Sequence, residues 1–370
     1  MSVRDAMTRK RILILLLAIV AVAAVWRLHP WRRRPAPPAP PRAVQAPPAQ
    51  SGPPPPAPKP PRPRPPPAPA FSAEDVARLE SSDGLPRPVA TWLEAQIELA
   101  RRALSSGSID GVGGAQSVAA LRAFQENEGL RVTGQLDPDT RDRLALSAPP
   151  LGTLVVTADD LAGLEPLSPT WLGKSQQSAL AYETALELAA ERSHAHPALI
   201  RQLNPGVNWN AIAAGTPLVV PAVGRVTVGA RAAEIHISLA DHVLQVIDSS
   251  GRLIAHFPVS IAHDVEKRQV GELHVAVVIP NPNYTFDPAV FPESEEAQSI
   301  GRKLILPPGP NNPVGVAWIG LDLQGYGIHG TPSPEQVGRT ESHGCFRLAN
   351  WDAELLLGLA WVGLPVFVDP

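Results

Sequence analysis

Between Tyr326 and Leu348 the chain reads YGIHGTPSPEQVGRTESHGCFRL, placing two of its ten histidines, its only cysteine and, two residues beyond the cysteine, Arg347 within 23 residues. These residue types suit nucleophilic acyl transfer. A cysteine thiolate is a strong nucleophile, a nearby imidazole can take the thiol proton, and Arg347 or backbone amides favour the anion. Gly344, next to Cys345, leaves backbone N–H groups accessible, as an oxyanion hole requires. Ser342 and His343 would shape that turn. Residue chemistry alone does not choose between His329 and His343 as the base.

Blander uses of the same residues exist. A lone cysteine is commonly a small buried hydrophobe. Two histidines and a cysteine could ligate zinc, but a fourth protein ligand is not evident, and His343-x-Cys345 is tighter than common zinc spacings. The expectation is therefore no metal and no cofactor. His236, His242, His256, His263 and His274 sit in or near strand-like segments and read as structural.

These residues must be positioned by the segments around them. From Ala233 the hydrophobic period is two: 234–239 alternates, and 243–247, 253–257 and 273–279 follow as short strands, with Asp248-Ser249-Ser250-Gly251 as a hairpin turn. A helix over Ala353–Trp361 and a last strand at Val366–Val368 close the chain. Short strands, Gly/Pro turns and few helices imply a mainly-β sandwich or barrel.

Upstream, Leu93, Ile97, Ala100 and Leu104 fall at helical spacing, Val118, Leu121 and Phe124 repeat it, and Asp137-Pro138 opens a third short helix. Residues 178–192 read as another helix, followed by the Asn204-Pro205-Gly206 turn and a strand over 217–220. Residues 35–70 hold 19 prolines in 36 positions and no acid, which suits a polyproline II spacer of roughly 110 Å at full extension. The apolar run Ile12–Trp26, after Arg9-Lys10-Arg11, has the form of an export signal or signal anchor. Residues 1–70 carry a formal +11 and residues 71–370 a formal −14, a body that phosphate backbones would repel, so no nucleic-acid partner is expected.

Three stretches resemble known families. His329-Gly330-Thr331, Val337-Gly338 and Ser342-His343-Gly344-Cys345-Phe346-Arg347 resemble the signature of the L,D-transpeptidase catalytic domain, the YkuD family. That resemblance implies Cys345 as nucleophile and His329 as base, oriented by the Gly330 carbonyl. It also implies His343 and Gly344 lining the oxyanion hole, with Arg347, Ser342 and Thr331 positioning loop or substrate. It further implies a peptidoglycan stem-peptide substrate, D-alanine release and 3→3 cross-links, with water or a lysine of an outer-membrane lipoprotein as alternative acceptors. A scaffold that binds wall without catalysis is the contrasting class. The string from Leu104 through Asp110-Gly111, Phe124-Gln125, Thr133-Gly134 and Asp137 to Leu144 resembles a three-helix peptidoglycan-binding domain. Gly113-Gly114 departs from it where an aromatic or proline is usual. The helix, turn and strand over residues 178–221 resemble the second half of a LysM module, which often grips glycan. The expected organisation is a signal anchor or signal peptide at 1–34, a Pro-rich linker at 35–87 and a helical domain at 88–148. A LysM-like α+β segment at 149–222 and the mainly-β catalytic sandwich at 223–370 complete it. This places the protein in the periplasm or cell envelope, tethered to the cytoplasmic membrane through residues 12–26.

Overall fold

The computed structural model describes residues 71–291, 294–339 and 344–370. The helical part begins with α1 (Ala73–Glu80), α2 (Trp92–Arg101), α3 (Ala115–Asn127) and α4 (Pro138–Arg143). Its start signals are local. Thr91 and Glu94 form a reciprocal capping box at α2, and Asp137 accepts from the Thr140 N–H ahead of Pro138 at α4. Two buried glutamines hold its turns. Gln96 accepts from Gly111 N at 2.7 Å and donates to Ser117 Oγ at 2.9 Å, while Gln125 accepts from Gly134 N at 2.8 Å and donates to Thr140 Oγ1 at 2.9 Å. Gly113 stands where it does because a methyl there would overlap the Trp92 indole.

The next region carries β1 (Leu151–Val155), α5 (Ala158–Ala162), α6 (Trp171–Lys174), α7 (Ala185–Arg192), α8 (Pro197–Leu203) and β2 (Pro217–Pro221). Strands β1 and β2 pair antiparallel, Leu151 opposite Pro221. The helix expected over 178–192 starts only at Ala185. Thr184 caps it, and the backbone of Leu180 is drawn out to bond Pro308 and Asn311.

The last region contains β3 (Ala232–Ser238), β4 (Val243–Asp248), β5 (Leu253–Pro258), β6 (Gly271–Pro280), β7 (Tyr284–Phe286), α9 (Glu295–Ile300), β8 (Leu304–Leu306), β9 (Ala317–Leu321), β10 (Gly327–His329), β11 (Phe346–Arg347), α10 (Asn350–Leu359) and β12 (Pro365–Asp369). Eight strands form one mixed sheet in the order β11-β10-β9-β6-β12-β3-β4-β5, with β7 and β8 as a separate pair. The pairs β10/β11 and β3/β12 are parallel and the other neighbours antiparallel. Alternation puts Ile235, Ile237, Leu244, Val246, Val366 and Val368 on the buried face, where they join Leu356 of α10. Beyond β5 the chain reaches the opposite edge of the sheet, where Ser260 and Arg347 exchange two backbone bonds of 2.9 Å.

Four expectations are corrected here. The apolar run at 12–26 and the spacer at 35–70 lie outside the described residues, and among the described residues no helix is long and apolar enough to cross a membrane. The architecture among the described residues is a small helical domain followed by a mixed β-sheet sandwich. Neither a membrane helix nor a membrane-tethered topology is carried further, and the cytoplasmic membrane is dropped as a partner through residues 12–26. The LysM-like segment is not a distinct body. One apolar cluster joins Leu93, Ile97 and Ile109 of the helical part to Leu151, Leu186, Ile200 and Leu218, so residues 149–222 share their core with the neighbouring region.

Candidate active site

Strands β10 and β11 position the reactive segment. Their register sets Ile328 opposite Phe346 and His329 opposite Arg347. Carried back one residue, it sets Cys345 beside Gly327. Since side chains two apart on a strand share a face, Cys345 and His329 are diagonal neighbours on one side of the sheet. Strand β11 is only two residues long, yet it is held on both sides. Leu348 N donates to His329 O at 2.8 Å on one side, and the Ser260–Arg347 bridge lies on the other.

The thiol is half-buried. Cys345 Sγ donates to Gly325 O at 3.4 Å, and burial pushes its pKa up, opposed by a hydrogen bond from the Gly327 backbone. At neutral pH the side chain is thus a thiol, and its use as a nucleophile requires a base.

The imidazole of His329 is 6% exposed, and its Nδ1 lies 2.6 Å from the Gly330 carbonyl oxygen. A carbonyl only accepts, so Nδ1 carries the proton and Nε2 presents its lone pair. Burial is the main reason the His329 pKa falls to about 4; the Gly330 bond opposes that fall and the charge of Arg347 adds to it. The Trp318 ring, directly opposite in β9, stacks on the imidazole with centroids 5.7 Å apart. The same ring explains Gly327, where a methyl would lie 2.7 Å from two indole carbons.

A buried neutral imidazole and a thiol on one sheet face can carry out general-base-assisted thiol attack. Arg347 is half-buried, with its own pKa lowered by burial. Thr331 is buried, and its N–H is bound by Asn350 Oδ1 at 3.1 Å. Gly344 has open space where a side chain would stand. Ser342 and His343 lie outside the described residues. Among the described residues, no three His, Cys, Asp or Glu side chains come together to hold a metal ion.

The structure adds residues that the motif did not indicate. Tyr284 of β7 is near enough to feel this site, its phenol pushed up first by burial and then by the charge of the Cys345 thiolate. Trp171 of α6 stacks on Phe286 of the same strand, centroids 4.5 Å apart. Gln116 of α3 donates to Val337 O, and Ser260 Oγ accepts from Gly338 N at 2.8 Å. Gln116 and Ser260 thereby anchor the signature pair Val337-Gly338. Asn350 carried a weak signal, a polar residue just ahead of an apolar helical run, but that pattern ordinarily marks a cap.

Residues 232–368 match the family described as "L,D-transpeptidase catalytic domain" (YkuD), and residues 90–144 match "Putative peptidoglycan binding domain". The region corrected above, 149–222, falls between the two matches. The "Putative L,D-transpeptidase YkuD" of Bacillus licheniformis is 28% identical over 189 residues, 51% of this chain and 94% of that protein. The "Putative L,D-transpeptidase YqjB" of Bacillus subtilis is 35% identical over 103 residues, 26% of this chain and 49% of that protein. Among solved structures, an L,D-transpeptidase from Xylanimonas cellulosilytica aligns at a TM-score of 0.32 and 14% identity, covering 76% of this chain and 95% of that one. These matches concern transpeptidase and peptidoglycan-binding domains only, so the lipoprotein acceptor is dropped together with the membrane partner.

Proposed function

We propose, from the premise that residues 232–368 belong to the YkuD family of L,D-transpeptidase catalytic domains, that this chain forms 3→3 cross-links in peptidoglycan through a thioester on Cys345. The observation that supports the reading is the β10/β11 register, which, extended by one residue from Phe346, brings Cys345 to the face of His329, with Gly330 O bound to Nδ1. His329 Nε2 takes the Sγ proton as sulfur attacks the carbonyl between the L-centre of a diamino acid and the terminal D-alanine. Backbone N–H groups at Gly344 and Cys345 receive the developing oxyanion, and His343, outside the described residues, is assigned to the same role by its place in the signature. When the tetrahedral centre collapses, the C–N bond breaks, His329 returns the proton to the departing amine, and D-alanine leaves. The side-chain amine of a second stem peptide then attacks the thioester, forming an amide and restoring the thiol. Arg347, Ser342 and Thr331 position the loop and substrate.

In this reading the catalytic domain spans 223–370 and a peptidoglycan-binding-like domain spans 88–148, which puts the protein's work in the cell envelope. No metal or cofactor enters any step. The test is product analysis with a disaccharide-tetrapeptide. Equimolar D-alanine and a cross-linked dimer support the transferase. D-alanine with tripeptide alone would make the chain an L,D-carboxypeptidase. Folded protein that releases nothing and takes up no carbapenem on Cys345 would leave the non-catalytic scaffold.

A further inference from the structure

Asn350 opens α10 three residues after Arg347 and is 2% exposed. Its amide is fully used. Oδ1 accepts from Thr331 N at 3.1 Å and Val316 N at 3.3 Å, and Nδ2 donates to Pro310 O at 3.0 Å and Glu191 Oε1 at 2.8 Å. Two lone pairs and two N–H donors are all that a carboxamide possesses. Gly315 and Gly330 flank it so closely that a methyl on either would overlap Asn350 Oδ1.

The Thr331 N–H and the Gly330 C=O belong to one peptide group, and that group is planar. Asn350 therefore grips one end of a rigid plate whose other end accepts the His329 Nδ1 proton at 2.6 Å. Turning the plate would swing the carbonyl away from the imidazole and release the tautomer that leaves Nε2 unprotonated. Asn350 holds the plate only while its oxygen, rather than its NH2, faces Thr331. That choice is set at the far side of the amide by two acceptors, the Pro310 carbonyl and Glu191 Oε1, and the latter also receives the Tyr182 hydroxyl at 3.3 Å.

Glu191 lies in α7, outside the residues that match the catalytic family. It is 9% exposed, and burial is the main cause that raises its pKa to about 7, so at neutral pH it is commonly protonated on one oxygen. Either form leaves Oε1 able to accept. Other side chains tie the start of α10 to the upstream regions. His194 stacks on Trp351, centroids 5.2 Å apart, and Ser105 Oγ donates to Asp352 Oδ2 at 2.9 Å.

We propose that Glu191 is a positioning residue for His329, acting through Asn350 and the Gly330–Thr331 peptide, so that the region at 149–222 contributes orientation of the base rather than a separate glycan grip. This rests on the reading of His329 as the general base. The experiment compares full-length wild type with Glu191→Ala, Glu191→Met and Glu191→Gln, following D-alanine release and the imidazole nitrogen and Nδ1–H signals of His329 by NMR. The expected result is a fall of about 10²-fold in kcat for the Ala variant, as for a misoriented catalytic group, with KM within about twofold of wild type. The Nδ1–H signal should weaken in the same variant. Glu191→Gln, whose side-chain oxygen can still accept from Asn350, should restore both. Should Glu191→Ala fail to fold, Glu191→Met fills the same space without an acceptor and should show the same loss. Wild-type kcat and an unchanged Nδ1–H signal in a folded Ala or Met variant would overturn the proposal. So would a loss that Glu191→Gln fails to restore. If wild type itself releases no D-alanine, the function reading fails, and the NMR comparison alone decides whether Glu191 orients the ring.

Discussion

Arg347 stands directly across from His329 in the parallel β10/β11 ladder, so a fixed cation faces an imidazole that burial already holds neutral. The imidazole is thus unprotonated far below the ordinary histidine range, and the Cys345 thiol on the same face is itself pushed up by burial. The acid limb of kcat/KM for D-alanine release is expected near pH 4 rather than near 6.5. Arg347→Gln should move that limb upward, though only part of the way because burial is the larger cause. A wild-type limb at 6.5 would show that the imidazole is hydrated in solution.

Cys345→Ala is expected to abolish D-alanine release while leaving the melting profile close to wild type, since the side chain is half-buried and small. His329→Ala should slow thioester formation by about 10²–10⁴-fold, the usual worth of positioned proton transfer. Mass spectrometry of the carbapenem adduct separates the two, because the histidine variant should still acylate slowly. Persistent turnover in Cys345→Ala would remove the nucleophile assignment.

Stability should depend on pH from both sides. Folded-state values raised to about 8 at Asp352 and about 7 at Glu191 give stabilisation that is complete below the unfolded values and is lost as pH rises through 7 and 8. Burial depresses His194, His256 and His329 to about 4, so their stabilisation is present above 6.5 and is lost as pH falls through 4. Thermal melts across pH are expected to peak at about 6–7. Asp352→Asn, which can still accept from Ser105, should flatten the alkaline decline. An unchanged decline would assign it to other groups.

Gly338 has φ of +69°, and a methyl there would overlap Gln116 Nε2. Gly338→Ala should therefore cost about 1–2 kcal/mol from the left-handed backbone alone, plus the displacement of Gln116. Adding Gln116→Ala should recover the overlap but not the backbone cost. Additive effects of the two changes in denaturant melts would rule out this contact in solution.

The strands around 232–258 were legible because one face meets the core and the other meets solvent, which imposes a period of two on Ile235, Ile237, Leu244 and Val246. Strands β10 and β11 were not, since three and two residues containing glycine carry no period, and only the sheet around them makes them strands. The His329–Cys345 segment stood out through its resemblance to a family signature, since residue types and spacing alone left the choice of histidine open. Glu191 and Gln116 could not, because each is an ordinary helical residue whose partner lies 159 or 221 positions away. Tertiary pairing at such separation leaves no local pattern. The LysM-like reading failed for a related reason. A helix, a turn and a strand can be recognised singly, but whether their apolar faces close on each other or on a neighbour is decided by residues outside the window.

The backbone at Ala103–Ser105 lies along the outer side of β5, with His256 N donating to Ala103 O at 2.9 Å and Ser105 N donating to His256 O at 2.8 Å. Strand β5 is the last in the sheet order, so this segment of the helical part occupies hydrogen-bonding groups that would otherwise face outward. A bare strand edge is a template on which another chain can pair. The helical part is thus a guard against self-association as well as a neighbour of the Cys345 and His329 strands. A fragment trimmed to residues 223–370 would keep the thiol and the imidazole but expose a sticky rim, and its fate in concentrated solution would be governed by strand-to-strand oligomerisation before catalysis could be assessed.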